Sequence, residues 1–362
     1  MEARPSGSKS RPATLMDVAA RADVSIATAS RVLNNKLGQI AITEKTRERV
    51  LKAARELNYR PNRFARNLRM GVALRHLLFV VSKASGSHFI QHPFLSHMID
   101  AIQSEASRNG YYLSFLSVDA ADWSPFTGIL ADNTGGVITW GPIGPEVYRL
   151  ITHRRVPLVA IEPYGERPEP YLCVYVDNDM AVRQAIEHLV GLGHSRIAII
   201  SRSNNGLPQF RERCEVFRDC CSQQKRRIRT YEVLDAPPLS ELDWTKPSRG
   251  QKAIAGWASI PQSDRPTAVV AVNDLLALAA LRILQREGIL IPRDMSIVGI
   301  DDIEWARYNE PPLTTVRIPQ DEMGKTAVDL MMELLGLETQ DRTRLIRTRL
   351  IVRNTTGPAP SV

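Results

Sequence analysis

Residues 15–34 read LMDVAARADVSIATASRVLN, and the spacing of small and apolar side chains there constrains the fold more than any other feature. These side chains repeat at helical intervals, break at Asp23-Val24 and then resume; they are Val18, Ala19, Ala22, Val24, Ala29 and Val32. Ser25 lies just before the second run, where its hydroxyl can accept a hydrogen bond from an unpaired backbone N–H. The pattern predicts two short helices joined by a tight turn.

The second of these helices exposes a mixed set of side chains near its start. They are Ser25, Ile26, Ala27, Thr28, Ser30 and Arg31. Two helices joined in this way, with the second presenting its first turns, have the geometry of a helix-turn-helix unit that enters the major groove of DNA. An ordinary helical hairpin is the alternative interpretation of this segment taken alone.

A third amphipathic helix is predicted from Thr43 onward, with one apolar face formed by Val50, Leu51, Ala54 and Leu57. We expect it to stop near Tyr59-Arg60-Pro61, because proline disfavours helical backbone in the residue before it. The segment PNRFARNLRMG follows over residues 61–71. The spacing in it predicts a short helix with Phe64, Ala65, Leu68 and Arg69 on one side. So short a helix is unstable alone, so we expect it to form only on DNA.

Three blocks of this region resemble the lac-repressor-like (LacI/GalR) family of bacterial transcription regulators; they are DVAARADVSIATASRVLN, TEKTRERVLKAARELNYRPN and ARNLRMG. Two residues depart from the family pattern, since Asp23 stands where a turn glycine is usual and Ala29 where a valine is usual. Aspartate tolerates a left-handed turn, so neither departure argues against the fold. The resemblance implies DNA contacts from Thr14, Ser25, Ile26, Ala27, Thr28, Ser30, Arg31, Asn34, Tyr59, Asn62, Ala65 and Leu68.

The distribution of charge supports a nucleic-acid partner for this region. Residues 1–71 contain 15 Lys and Arg against 6 Asp and Glu, a net charge of +9. The whole chain carries +8, so residues 72–362 have a net charge of −1. All of the basic excess therefore lies in the first fifth of the chain, which indicates a DNA-binding head on a neutral body.

Other features of the sequence limit the class of protein. No apolar run is long enough to span a bilayer, and the basic, serine-rich start at residues 1–11 predicts a disordered tail and not a signal peptide. The cysteines form no paired metal or disulfide pattern; they are Cys173, Cys214, Cys220 and Cys221. We therefore expect reduced thiols in a cytoplasmic protein that joins the nucleoid when bound to DNA.

From His76 onward, short apolar runs alternate with helical stretches. The strand-like runs are residues 77–81, 111–118, 136–139, 158–161, 196–200, 268–272, 296–300 and 345–352, and the helical stretches are 93–109, 180–192, 209–223 and 275–287. Fully apolar runs are typical of buried parallel strands. The repetition in two blocks predicts an α/β core of two doubly wound lobes, with a ligand cleft beyond the carboxyl ends of the strands.

This core also resembles the effector domain of the same family, which is similar to periplasmic sugar-binding proteins. The matching blocks are VDN at residues 176–178, HLVGLGHSRIAII, VNDLLALAALRILQREGILIPRDMSIVGIDD and PPLTTVRIP, whereas residues 82–93 match poorly. The resemblance implies that the chain crosses between the lobes near residues 176–178, near residues 318–320 and near Leu350.

The expected organisation has an all-α head and a two-lobed core. It comprises a disordered tail at residues 1–13, a helix-turn-helix domain at 14–60, a hinge helix or linker at 61–72, an effector-binding and dimerisation domain at 73–353, and a tail at 354–362. The last segment contains glycine, two prolines and no leucine heptad, so we expect no C-terminal tetramerisation helices.

Polar or aromatic residues follow several of the predicted strands, namely Trp140, Glu162, Asn273 and Asp301. Carboxylates and an amide accept and donate hydrogen bonds to hydroxyls, and a flat ring packs on C–H faces, so this set suits a sugar. The family resemblance places these four and Arg213 at effector-contacting positions. For each residue alone, a helix cap or a lobe–lobe hydrogen bond is an equal alternative.

Several neighbouring residues are assigned lesser roles. Asp274 and Asp302 are expected to cap or brace, and Trp244 is a weaker candidate for the pocket. A purine effector would need aromatic faces on both sides, and a phosphorylated sugar would need cations beyond Arg213, such as Arg202 or Arg211.

Enzyme and transport functions are the competing interpretations. The sequence has no nucleophile elbow, P-loop or dinucleotide-binding motif, and the histidines at 88, 92 and 97 match no zinc signature. Asp301 and Asp302 are adjacent on a strand end, so they point to opposite sides and cannot share a substrate. A periplasmic solute-binding protein would need an export signal and would lack the basic head.

We therefore expect a protein that is not an enzyme and that needs no cofactor or metal. The sequence predicts a homodimeric repressor of carbohydrate-metabolism genes that binds a pseudo-palindromic operator in double-stranded DNA. Its effector is expected to be a sugar or sugar derivative, with a purine or another non-sugar effector as the alternative.

Overall fold

The computed structural model describes residues 15–33, 42–57, 75–82, 92–118, 134–141, 144–153, 156–163, 172–202, 207–224, 228–336 and 343–361. The chain divides into two compact units, Met1–Leu74 and Arg75–Val362. Each unit has its own hydrophobic core, so each can be understood from its own packing.

The first unit contains three helices, which are α1 (Leu15–Arg21), α2 (Ile26–Leu33) and α3 (Glu44–Glu56). The predicted turn lies between α1 and α2, where Asp23 has a φ of 50° and so takes the left-handed backbone of a turn glycine. The Ser25 hydroxyl accepts a hydrogen bond from the N–H of Thr28 at 3.1 Å, which is the predicted helix cap. The core of this unit is formed by Val18, Ala19, Ala22, Ala29, Val32, Val50, Ala53 and Ala54.

The buried face of α3 differs by one residue from the prediction. Leu51, which was predicted to be apolar and buried, is 37% exposed, and Ala53 is buried instead. Val50, Ala53 and Ala54 follow the i, i+3, i+4 spacing of one helix face, and a side chain at position 51 falls outside it. Small alanines at the contact let α3 approach its two neighbours closely.

The second unit contains two six-stranded sheets. Its strands are β1 (His76–Ser82), β2 (Tyr112–Val118), β3 (Gly136–Trp140), β4 (Leu158–Ile161), β5 (Leu172–Val176), β6 (Arg196–Ile200), β7 (Arg229–Val233), β8 (Ala268–Ala271), β9 (Ser296–Asp301), β10 (Thr314–Arg317), β11 (Thr343–Ile346) and β12 (Arg349–Ile351). The order in the first lobe is β11-β5-β4-β3-β1-β2, and in the second lobe it is β12-β10-β9-β8-β6-β7. All described pairings are parallel except β10 with β12.

Helices cover the sheets and connect their strands. They are α4 (Pro93–Arg108), α5 (Pro145–His153), α6 (Asn178–Gly191), α7 (Pro208–Gln223), α8 (Arg249–Ala255), α9 (Asp274–Arg286), α10 (Glu304–Tyr308) and α11 (Gln320–Gly336). Every residue of β3, β4, β8 and β9 is buried, as expected for parallel strands that are covered on both faces. The predicted α/β core of two doubly wound lobes is confirmed.

The chain crosses between the lobes three times. The first crossing follows β5 at residues 176–178, and the second follows β10 at residues 318–320, both as predicted. The third lies at Arg347-Thr348, slightly before Leu350. The single strand predicted at residues 345–352 is therefore two short strands, because β11 joins the first sheet and β12 joins the second.

The segment after β12 corrects another expectation. Residues 354–361, predicted as a tail outside the domain, lie along the second lobe. Thr355 is fully buried; its hydroxyl accepts from the N–H of Thr314 at 2.8 Å and donates to the carbonyl of Ile297 at 2.7 Å. The N–H of Ala359 donates to the carbonyl of Leu192 at 2.9 Å. This segment is therefore part of the folded lobe.

Two further features bear on the class of protein. None of the helices in the described ranges combines the length and hydrophobicity that a bilayer crossing requires. The four cysteines all lie within the described residues, where they are buried and form no disulfide. In the same part of the chain, no group of acidic, histidine or cysteine side chains is arranged to hold a metal ion.

Candidate functional site

A pocket lies between the two lobes, at the carboxyl ends of the strands. It is lined by His92, Phe94, Trp140, Glu162, Val176, Leu207, Gln209, Phe210, Arg213, Asn273 and Asp301. All five residues that the sequence predicts for the effector site are in this group. Trp140 ends β3, Glu162 follows β4, Asn273 follows β8, and Asp301 ends β9. The parallel sheets therefore bring side chains from distant parts of the chain to one place.

Arg213 lies at the centre of the second lobe's side of the pocket and is only 4% exposed. Its Nε donates to Oδ1 of Asn178 at 2.8 Å, and its Nη1 donates to the carbonyl of Val272 at 2.5 Å. Nη1 also lies 3.7 Å from Oδ1 of Asp301. Asn178 in turn receives support from Glu212, to which its Nδ2 donates at 2.8 Å. The guanidinium is therefore held in one orientation before any ligand arrives.

Asp301 combines strain with an unusual electrostatic environment. Its φ of 132° lies in a region that L-residues rarely adopt, and strained backbone of this kind is frequent at binding sites. Burial raises the pKa of its carboxyl well above the usual value, and the nearby Asp274 adds to this, whereas Arg213 opposes it. Gln320, at the second crossing, donates from Nε2 to the Asp301 carbonyl at 2.7 Å.

Asn273 and Glu162 also make bonds within the protein. The Oδ1 of Asn273 caps α9 by accepting from the N–H of Leu276 at 2.9 Å. The Oε1 of Glu162 accepts from the N–H of Val176 at 2.6 Å. The helix-cap alternative is therefore real for Asn273, whereas the bond of Glu162 is made within its own lobe and is not the lobe–lobe bond of the other alternative. Both side chains still line the pocket.

The first lobe contributes an aromatic wall, formed by His92, Phe94 and Trp140. The rings of Phe94 and Trp140 have centroids 6.5 Å apart and are tilted by 39°. The phenyl ring of Phe210, on α7, adds an aromatic surface from the second lobe. Sequence reasoning found only Trp140 in this group, because the others lie at helix starts, where no strand end marks them.

Three weaker sequence candidates do not line the pocket. Trp244 is 42% exposed and packs under Arg286, whose guanidinium carbon lies 4.4 Å from the ring centroid. Arg202 pairs with Glu241 at 2.8 Å. Arg211 has a 77% exposed side chain on α7. Arg213 is thus the single cation among the described lining residues.

The predicted bracing roles of Asp274 and Asp302 agree with the structure. Asp274 is fully buried; it accepts from the Thr315 hydroxyl at 2.5 Å and from the N–H of Ile303 at 2.9 Å. Asp302 pairs with Arg353 and is not among the residues that line the pocket, whereas Asp301 is. The reason differs from the predicted strand alternation, because β9 ends at Asp301 and Asp302 has a φ of 56° beyond the strand.

The predicted DNA-binding face lies on the first unit. Ser25 and Arg31 are exposed, and Ile26 is 45% exposed at the first position of α2. Thr28 is partly exposed, and of Ala27 and Ser30 only the backbone is described. The other predicted contacts lie outside the described residues; they are Thr14, Asn34, Tyr59, Asn62, Ala65 and Leu68.

Comparison with known proteins places both units in one family. A family model described as bacterial regulatory proteins, lacI family, matches residues 14–62, and a periplasmic binding protein-like domain matches residues 186–356. The HTH-type transcriptional repressor CytR of Escherichia coli K12 is 32% identical over 356 residues, which cover 96% of this chain and 97% of CytR. The transcriptional repressor PurR of Vibrio cholerae is 29% identical over 335 residues, 91% of this chain and 94% of PurR.

Solved structures give the same result. The lac repressor dimer bound to operator and the anti-inducer ONPF superposes with a TM-score of 0.71 at 26% identity, over 96% of this chain and all of that one. The regulator CelR in complex with cellobiose superposes with a TM-score of 0.63 at 26% identity, over 95% of this chain and 99% of that one. The chain therefore belongs to the lacI family of bacterial regulatory proteins and is a ligand-responsive transcriptional repressor.

Proposed function

We propose that this repressor is a cytoplasmic homodimer that binds a pseudo-palindromic operator and is controlled by a sugar or sugar derivative. The observation that carries the proposal is the pocket between the lobes, where Arg213, Asn273 and Asp301 converge from three separate elements. The target genes are then those that handle the same carbohydrate. The chain carries out no reaction in this proposal and binds its effector without a cofactor or metal.

The DNA-binding step is supported by the first unit. Its net charge of +9 over residues 1–71 supplies the sequence-independent attraction to phosphates. The exposed side of α2 then supplies contacts to base edges, and Arg31 in its last turn is able to donate two hydrogen bonds to a guanine. Ile26 offers only an apolar contact, for example to a thymine methyl group.

The effector step is supported by the polar wall of the pocket, formed by Gln209, Arg213, Asn273 and Asp301. Asp301 is an acceptor for hydroxyl groups, and the guanidinium and amides are donors. Trp140 on the opposite side offers a face for C–H groups, which is the usual division of labour in a site for sugars. In CelR, the same fold is found with cellobiose.

A purine is the second candidate, and a specific observation favours it. Phe94, Trp140 and Phe210 line the pocket from both lobes, so flat rings are available on more than one side of a ligand. The sequence offered only one aromatic residue here. A flat heterocycle would stack on these rings with favourable offset or edge-on geometry.

A thermal-shift screen of the full-length protein tests the proposal. The screen uses common pentoses and hexoses, their phosphates, and free purine bases, because a ligand that binds the folded state raises the melting temperature by mass action. We expect a shift with an unphosphorylated sugar compound. A shift with purine bases alone would support the second candidate instead.

Substitutions in the pocket then test where the effector binds. Asp301→Ala and Arg213→Ala should each remove the effect of the active compound on operator binding. Arg211→Ala is the matched control, since it removes the same charge from an exposed position on α7. If both pocket variants responded at wild-type ligand concentrations, the effector would bind elsewhere.

A further inference from the structure

A buried hydrogen bond joins the two lobes at the pocket. Asp301 ends β9 of the second lobe, and Gln320 is the first residue of α11, directly after the second crossing. Nε2 of Gln320 donates to the carbonyl oxygen of Asp301 at 2.7 Å, and Gln320 is only 7% exposed. The bond therefore connects α11 to a residue that lines the pocket.

The helix that carries Gln320 belongs to the first lobe. It packs against α4 and against the strands β3, β4 and β5 of the first sheet. Gly324, one turn after Gln320, lies so close to α4 that a Cβ at this position would be 2.5 Å from the carbonyl oxygen of Met98. Because a glycine permits this close approach, the first turn of α11 is fixed on the first lobe. Gln320 consequently moves with the first lobe when the lobes rotate.

The backbone that accepts this bond is held in an unfavourable conformation. Asp301 has a φ of 132° and Asp302 a φ of 56°, which L-residues rarely adopt. Such conformations persist only where the surrounding structure imposes them. The Asp301 carbonyl also accepts from the N–H of Ile318, but at 3.4 Å, which is longer than the usual range. The bond from Gln320 is therefore the closer constraint on this carbonyl, and it comes from the other lobe.

The carboxyl group of Asp301 points to the ligand side of the same residue. Its Oδ1 lies 3.7 Å from Nη1 of Arg213, and both residues line the pocket. The carboxyl-bearing side chain and the carbonyl are attached to one Cα, so a rotation about the N–Cα bond of Asp301 moves both. Occupation of the pocket and the position of α11 are therefore linked through the backbone of a single residue.

We propose that Gln320 is a positioning residue of the effector response, which holds the Asp301 backbone from the first lobe and thereby favours one arrangement of the lobes. This inference rests on the proposed binding of the effector at Asp301. A ligand shifts the balance between two arrangements only by binding them differently. Loss of the Gln320 bond changes that balance itself, whereas loss of the Asp301 carboxyl changes the binding of the ligand.

The first test needs no effector, because it measures the distance between the lobes of the full-length protein. Spin labels are attached at Arg149→Cys on α5 and Arg211→Cys on α7, whose native side chains are 71% and 77% exposed. The four native cysteines are buried, so they are protected from the label. Pulsed electron paramagnetic resonance then gives the distance distribution, and singly labelled proteins supply the contribution from pairs in different protomers.

Two substitutions remove the donor in this labelled background. Gln320→Met keeps the length of the side chain and removes the amide, and Gln320→Glu keeps the shape but carries only acceptors when ionised. We expect both to broaden the distance distribution or to add a second maximum, because the lobes are no longer held in one arrangement. The matched control is Gln285→Met. Nε2 of Gln285 donates to the Glu310 carbonyl at 3.3 Å within the second lobe, so its loss should leave the distances unchanged.

Melting temperatures separate positioning from folding. A substitution that only destabilises the fold lowers the melting temperature and leaves the distances in folded molecules as they are in the wild type. A wild-type distance distribution in either folded Gln320 variant would overturn the inference. An equal change with Gln285→Met would overturn it as well, because the effect would then not depend on a bond between the lobes.

A second test measures the response to a ligand, with D-ribose, D-xylose, D-glucose and D-galactose as probes. A sugar that raises the melting temperature of the wild type should also raise that of Gln320→Met, since the side chains that line the pocket are retained. The ratio of operator affinities without and with this sugar should move toward 1 by about fivefold or more in Gln320→Met. A wild-type ratio would overturn the inference. If no sugar acts on the wild type, the proposed sugar response fails, and the distance measurement decides the role of Gln320 by itself.

Discussion

At the scale of single residues, we propose Arg31 as the side chain through which α2 distinguishes one base pair from another. It is exposed in the last turn of α2. We expect Arg31→Ala to reduce specific binding by about 1–3 kcal/mol and to relax the preference at one position in each half-site. The control is Arg49→Ala, an exposed position on α3, which should at most weaken specific and random DNA equally. A binding assay that finds an unchanged ratio of specific to random affinity for Arg31→Ala would contradict this role.

Two buried carboxyls should make the stability of the second unit depend on pH. Burial raises the pKa of Asp274 to about 7, and burial likewise raises that of Asp301. Arg353 and Arg213 oppose these shifts without cancelling them. Because both groups hold a proton more tightly in the folded state, their contribution is fully present below about pH 4, the unfolded value, and decreases as the pH rises. The contribution of Asp274 is lost as the pH rises through about 7.

The experiment is chemical denaturation between pH 4 and pH 8, with wild type and Asp274→Asn compared. The wild-type free energy of unfolding should fall over this range by a few kcal/mol, on the order of 1.36 kcal/mol for each unit of pKa shift. Asp274→Asn is expected to be less stable, because it loses one of two acceptor oxygens, and to show a flatter pH dependence. Parallel curves for the two proteins would show that Asp274 does not titrate in this range.

At the scale of elements, the segment at residues 354–361 contributes to the stability of the second lobe. Thr355 satisfies two backbone groups of neighbouring strands from a fully buried position. Thr355→Val keeps the shape and removes the hydroxyl, so both backbone groups lose a partner at about 1–3 kcal/mol each. We expect a fall of several degrees in melting temperature, whereas Ser361→Ala, at an exposed position, should have no effect. Equal melting temperatures would mean that the segment is not anchored by Thr355.

The hinge segment at residues 61–72 lies outside the described residues, so the hinge helix stays a prediction. The family resemblance places Leu68 at the wedge between base pairs at the operator centre, where an inserted side chain kinks DNA. Leu68→Ala should weaken operator binding and reduce DNA bending, while the effector still raises the melting temperature. Unchanged DNA bending in a gel-shift or scattering assay would contradict the wedge role and would indicate that Leu68 is an ordinary residue of the linker.

At the scale of the whole molecule, the proposed two-fold dimer predicts the form of the operator. Two heads related by a two-fold axis require half-sites that are inverted repeats, spaced by whole DNA turns. Footprinting on the DNA upstream of the gene should therefore reveal one pseudo-palindrome per dimer. Residues 354–361 are not expected to join protomers, because they fold onto their own lobe and form no helix. A tetramer that persists at low concentration in sedimentation, and that dissociates when residues 354–362 are deleted, would contradict this prediction.

The sequence by itself determined the local structure of this protein. Helical spacing specified α1 and α2, the Ser25 cap and the turn at Asp23, because these depend on interactions within a few residues. Fully apolar runs likewise specified the central strands β3, β4, β8 and β9. Exposed edge strands were harder to predict: β7 has only one fully buried residue, so its pattern lacks the apolar run that marks a central strand.

Only the tertiary structure decided how distant segments meet. The strand ends identified Asp301 and Asn273 one by one, but the approach of Arg213 to Asp301 depends on the packing of α7 against the sheet. Phe94, Gln209 and Phe210 lie at helix starts and carry no local signal, so they became part of the pocket only when the lobes faced each other. The anchoring of residues 354–361 and the division of β11 from β12 have the same origin, since both depend on contacts with strands far away in the chain.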